Sequence, residues 1–109
     1  MGAKVLLVDD QRNMRTTLAM LLRGASYEVD EADGADAACE KVQRSAYDLV
    51  LTDLKMGERD GMDVLRHVRE VSPLTEVVVM TAYGTIESAV EAMRMGAHDY
   101  IQKPFEEDE

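Results

Sequence analysis

Three stretches of this chain are apolar at every position: Val5-Leu6-Leu7-Val8, Leu49-Val50-Leu51 and Val77-Val78-Val79-Met80. They are too short for buried helices and lack the alternation of a sheet wetted on one side, so they read as strands covered on both faces. A parallel sheet with helices above and below it is the arrangement that buries strands in this way.

Amphipathic stretches separate the runs. In chain order the sequence predicts a strand from Lys4 to Val8, a helix from Arg12 to Arg23, a strand from Tyr27 to Ala32 and a helix from Ala35 to Arg44. A strand from Leu49 to Thr52, a helix from Met62 to Val71, a strand from Val77 to Met80, a helix from Ile86 to Met95 and a strand from Asp99 to Gln102 follow. Met14, Leu18, Leu21 and Leu22 recur at helical spacing, as do Ile86, Ala89, Val90 and Met93, and each set is expected to form a buried stripe. Asp33, Asp60 and Thr85 stand where N-caps are wanted, and Gly24 and Gly96 where a left-handed C-terminal residue fits. Pro73 blocks continuation of the third helix.

Alternation of strand and helix implies right-handed crossovers and an α/β fold. The second strand is charged and alternating and the fifth is short, so both belong at the edges, which gives the strand order 2-1-3-4-5. With 109 residues the chain fits one domain, residues 1–109, with a single core built from Val, Leu, Met and Ala in the absence of Trp.

The net charge of -10 argues against binding nucleic acid or anionic lipid. A single cysteine, Cys39, excludes an internal disulfide and reads as a small apolar helix residue, while His67 and His98 are isolated and poor candidates for metal ligation. There is neither a leader-like start nor a run of about 18 apolar residues, so the expectation is a cytoplasmic protein without a membrane partner. No repeat or linker is visible, and the acidic run Glu106 to Glu109 reads as a solvated end or a helix's first turn.

In an open doubly wound sheet, ligands gather beyond the carboxyl ends of the strands where the crossovers change direction, here between strands one and three. Strand one runs into Asp9-Asp10, strand three into Asp53, strand four into Thr81 and strand five into Lys103. Each alone could be a cap, a turn residue or a solvated lysine. Together they put three acids, a hydroxyl and an amine at one lip of the sheet. Clustered carboxylates require a proton or a cation, and an oxygen-only ligand set with few protein donors points to magnesium. Lys103 could then face an added phosphoryl group, and a cis Lys103-Pro104 bond would aim it inward.

Val8-Asp9-Asp10, Asp53-Leu54-Lys55-Met56, Asp60-Gly61, Thr81-Ala82 and Lys103-Pro104 together resemble the receiver domains of bacterial two-component response regulators over nearly the whole chain. Met80-Thr81-Ala82-Tyr83-Gly84 and the segment from Met95 to Phe105 are similar to receivers attached to NtrC-type transcriptional activators. The resemblance implies a flavodoxin-like fold with Asp53 as phosphoacceptor. It implies magnesium held by Asp10, Asp53 and the Lys55 backbone carbonyl, with Asp9 helping through water. Thr81 and Lys103 would hold phosphoryl oxygens and Tyr100 would be the switch aromatic, though an edge-strand core tyrosine would look the same. Lys55 and Tyr83 match positions that modulate phosphoryl lifetime.

There are two departures from the family. Gly57 stands where proline is common, which should loosen the loop beside Asp53, and the fifth helix is truncated to little more than a first turn. Uncovered apolar surface on that side would be buried by another chain or leave a less stable fragment.

The resemblance implies as partners a sensor histidine kinase and a transcriptional output domain expected to lie outside this chain, with a homodimer through the fourth helix and fifth strand, or through the uncovered helix-5 face, as a further arrangement. The implied role is a switch rather than a turnover enzyme. Three rivals fit less well. A magnesium-dependent aspartyl-phosphate phosphatase of the haloacid-dehalogenase type would carry Asp-x-Asp after strand one, where this chain has Asp9-Asp10-Gln11. A nucleotide-binding module would carry a glycine-rich first connection. A pseudo-receiver kept only for protein contacts would have lost at least one of the acidic, Thr or Lys positions.

Overall fold

A computed structural model describes residues 2–56, 60–82 and 85–102. The elements run β1 (Lys4–Val8), α1 (Arg12–Gly24), β2 (Glu28–Ala32), α2 (Ala35–Arg44), β3 (Leu49–Asp53), α3 (Gly61–Val71), β4 (Glu76–Thr81), α4 (Ile86–Arg94) and β5 (Asp99–Gln102). The five strands form one parallel sheet in the order β2-β1-β3-β4-β5. This is the predicted topology, and the limits differ from the sequence reading by a residue or so at the ends.

The central strand explains the order. Val5, Leu6, Leu7 and Val8 have no accessible surface at all, which only a strand paired on both edges and covered on both faces achieves. Leu6, Val8, Val50, Val77 and Val79 face Ala38 and Val42 of α2 and Val64, Leu65 and Val68 of α3. On the opposite face Leu7 and Val29 pack with Ala19, Leu18, Leu22 and Leu51, beneath α1. Tyr47, just before β3, donates to Asp30 Oδ2 at 2.7 Å, and burial followed by the Asp30 carboxylate raises its pKa to about 12.

Both apolar stripes expected from spacing need correction, for one reason. In α1 the residue fully buried is Ala19, flanked by Leu18 and Leu22, while Leu21 is 62% exposed. The inward stripe is Arg15, Leu18, Ala19 and Leu22, with the Arg15 guanidinium bonded to Asp9 O and to Glu31. In α4 the buried residue is Ala92, and Ile86 is 84% exposed with Val90 and Met93 also outside. Ser88 lies on the inner side, sharing a 2.7 Å hydrogen bond with the Tyr100 hydroxyl. In each helix a polar residue with a tertiary partner occupies an inward position, so the apolar period marks a face displaced from the buried one.

Two of the three expected N-caps are present. Asp60 accepts from Met62 N at 2.9 Å and from Asp63 N at 3.4 Å, and Thr85 Oγ1 accepts from Ser88 N at 3.0 Å, each within a capping box. The third is not, because α2 starts after Gly34, which makes no side-chain cap and leaves Asp33 one residue too early. Gly96 takes the left-handed conformation at φ 102°. Gly24 does not, because α1 continues through it and the chain turns at Ser26, φ 76°.

Candidate functional site

The site is assembled by the ends of three parallel strands. In β1 the buried run stops at Val8, and the next residue, Asp9, is still fully enclosed. Its N–H donates to Ala32 O at 3.1 Å, continuing the pairing with β2 one step beyond the strand, and its Oδ1 accepts from Gln11 N at 2.9 Å. That turn releases the chain into α1 and leaves Asp10 exposed at the lip.

Asp53 closes β3, paired to Met80 of β4, with only 6% of its surface exposed. Its Oδ1 accepts from Leu54 N at 2.8 Å, and its carbonyl oxygen accepts from Thr52 Oγ1 at 3.0 Å. The start of α3 presses on the same peptide: Gly61 N donates to Leu54 O at 2.8 Å, and a Cβ on Gly61 would lie 2.3 Å from Asp53 O. Glycine is therefore needed at 61 for the approach of the helix rather than for an unusual φ.

The consequence is convergence. Asp9, Asp10 and Asp53 each offer a carboxylate oxygen, and the three oxygens lie within 4.8 Å of one another. Among the described residues no imidazole or thiol joins that cluster. Two of the three acids are buried, so water cannot fully screen them, and an all-oxygen set of net charge -3 suits a hard divalent cation with open positions for water. The residues present thus fit magnesium. His98, by contrast, pairs with Glu76 at 3.0 Å on the surface.

The remaining sequence candidates are distributed as follows. Thr81 ends β4 beside β3, fully buried. Lys55 is exposed in the connection after β3. Tyr100 lies in β5 opposite Val79, half-buried against the core, with its hydroxyl tied to Ser88. Lys103 with the expected cis Lys103-Pro104 bond, Tyr83, Gly57 and the truncated fifth helix fall outside the described residues. Sequence reasoning missed Arg15 and Ser88, whose partners lie on other elements and leave no period or motif to detect.

Comparison with known proteins agrees with this architecture. Residues 5–109 match the response regulator receiver domain family. The transcriptional regulatory protein ZraR of Escherichia coli is 42% identical over 104 residues, which is 95% of this chain and 24% of ZraR. Among solved structures, NtrX of Brucella abortus has a TM-score of 0.87 at 36% identity, over 96% of this chain and 24% of that one. A response regulator from Burkholderia pseudomallei, crystallised with a phosphorylated aspartic acid, a calcium ion and citrate, has a TM-score of 0.89 at 28% identity, over 94% of this chain and 60% of that one. The chain spans about a quarter of the length of the curated relatives it first matches, and no described helix is long and apolar enough to cross a membrane. With the family matched over nearly its full length and NtrC-type regulators among its relatives, the chain belongs to the response regulator receiver domains of two-component systems.

Proposed function

We propose that residues 1–109 act as one phosphorylation-dependent switch, accepting a phosphoryl group on Asp53 from a phosphohistidine of a sensor histidine kinase. The observation that carries the reading is the convergence of the Asp9, Asp10 and Asp53 oxygens within 4.8 Å at the mouth of the sheet. The phosphorylated aspartic acid and calcium ion in the similar Burkholderia pseudomallei protein support it.

In this reading an Asp53 carboxylate oxygen attacks phosphorus, the N–P bond of the phosphohistidine breaks, and the electron pair returns to the imidazole nitrogen, which takes up a proton. Asp10, Asp53 and the Lys55 carbonyl, with Asp9 helping through water, would hold magnesium, which would supply neutralisation of the charge that gathers there. The bond from Leu54 N orients the Asp53 carboxylate. Burial keeps bulk water from the acceptor. Thr81 and Lys103 hold the phosphoryl oxygens, and Lys55 and Tyr83 flank the path of hydrolytic water.

The product is an acyl phosphate, and the chain assists its own phosphorylation and dephosphorylation without being a turnover enzyme. Movement of the Thr81 hydroxyl toward the phosphoryl group would release Tyr100 to turn, altering the surface of α4 and β5 presented to an output domain or to a second copy. By similarity to ZraR the output would be transcriptional.

The test is mass spectrometry after incubation with a small acyl phosphate, with and without magnesium. A magnesium-dependent, hydroxylamine-labile adduct on the parent and its absence from Asp53→Asn is the expected result. No adduct on the parent defeats the reading.

A further inference from the structure

The acidic turn is held from behind by a side chain that the reaction itself does not require. Arg15, on the inward stripe of α1 and 17% exposed, donates from Nη1 to Asp9 O at 2.8 Å and pairs through Nε with Glu31 Oε1 at 3.1 Å. Glu31 belongs to β2, the strand that also receives the Asp9 N–H through Ala32 O. Its other oxygen lies 3.5 Å from Arg23 Nη1, and Arg23 in turn donates to Val29 O at 2.9 Å. Both main-chain groups of Asp9 are therefore fastened to β2, one directly and one through a guanidinium fork whose planar geometry fixes direction as well as distance.

We infer that Arg15 is a positioning residue for the metal-binding acids: anchored by Glu31, it locks the Asp9–Asp10 turn so that both carboxylates already face Asp53 before a dication arrives. The inference rests on the metal reading proposed above. What makes it decisive is that charge and position predict opposite signs. A guanidinium bonded to the Asp9 peptide is a fixed positive charge close to a cation site, so by Coulomb's law alone its removal tightens dication binding. If Arg15 acts by preorganising the ligands, its removal weakens binding, and loss of partners that orient metal ligands commonly lowers affinity by about tenfold or more.

The experiment is calorimetric titration of the whole chain with magnesium chloride, in the absence of any phosphoryl donor, for the parent, Arg15→Met, Arg15→Lys and Glu31→Gln. Melting in EDTA establishes that each variant is folded. Arg15→Met, which keeps the packing of the stem, is expected to weaken magnesium binding about tenfold. Arg15→Lys keeps the charge but cannot bridge Asp9 O and Glu31 with one fork, so it should also weaken binding. Glu31→Gln leaves Arg15 without its charged anchor and should weaken binding too, while Arg15→Lys, in which the charge is constant, serves if Arg15→Met does not fold. Combining Glu31→Gln with Arg15→Met should cost no more than Arg15→Met alone, since both act through one clamp. Binding by Arg15→Met as tight as in the parent, or tighter, overturns the inference while leaving the metal site standing. A parent without any response to magnesium overturns both.

Discussion

Replacing Asp53 by Asn should stabilise the metal-free protein while abolishing its capacity to be phosphorylated. Two unit charges 4.8 Å apart, the limit within which the three acid oxygens fall, repel by about 3.5 kcal/mol at an effective dielectric near 20. Asp53 enters two such pairs. The one with exposed Asp10 is strongly screened, whereas the one with Asp9 joins two buried groups. Lys103, proposed to face the cluster, offsets part of the repulsion, which leaves a net gain of about 1–2 kcal/mol when the charge is removed. Asparagine keeps an oxygen for the bond from Leu54 N. For a domain of this size that gain raises the melting midpoint by roughly 5–10 °C. The assay is thermal unfolding by circular dichroism in EDTA, repeated with magnesium. The parent should rise on adding magnesium and Asp53→Asn should rise much less. A midpoint in EDTA at or below the parent's refutes the electrostatic account of the site.

Gly61→Ala should destabilise by about 2 kcal/mol or more, because its Cβ cannot sit 2.3 Å from Asp53 O without displacing that peptide, and chemical denaturation with a parallel magnesium titration should show both stability and affinity falling. Tyr47 keeps its proton in the folded state up to about pH 12 against about 10 when unfolded. Its contribution is thus fully present below about pH 10 and is lost as pH rises toward 12, at a cost of about 2 kcal/mol. Urea melts across that range should show a steeper decline for the parent than for Tyr47→Phe. Ser88→Ala removes the capping-box partner of Thr85 and the Tyr100 hydroxyl bond together, and should cost about 1 kcal/mol. In a Tyr100→Phe background the cost should be smaller, and equal costs in the two backgrounds would deny the link between α4 and β5.

What could be read from the sequence, and what could not, divides along physical lines. Val5 to Val8 announce a central strand because burial on both faces leaves no polar position to tolerate. Asp9, Asp10 and Asp53 could be brought together from sequence because strand ends in a parallel sheet share one edge. The faces of α1 and α4 could not, since periodicity finds an apolar stripe without saying which side meets the sheet. Leu21, Ile86 and Val90 look inward by composition, yet Arg15 and Ser88 hold the inward places through bonds to residues remote in sequence. Position 33 was misjudged as a cap because one residue of extra extension places Gly34 at the junction, a difference that local preference does not resolve.

The helices are unequally moored. α3 sinks Gly61, Val64, Leu65 and Val68 into the interior, whereas α4 sinks Ala92 alone. At about 0.8 kcal/mol per buried methylene, dislodging α3 would forfeit several side chains' worth of burial, while a slide or roll of α4 would forfeit little more than one methyl and the Ser88 to Tyr100 bond. A disturbance at the mouth of the sheet would therefore be accommodated at lower cost by α4 than by α3.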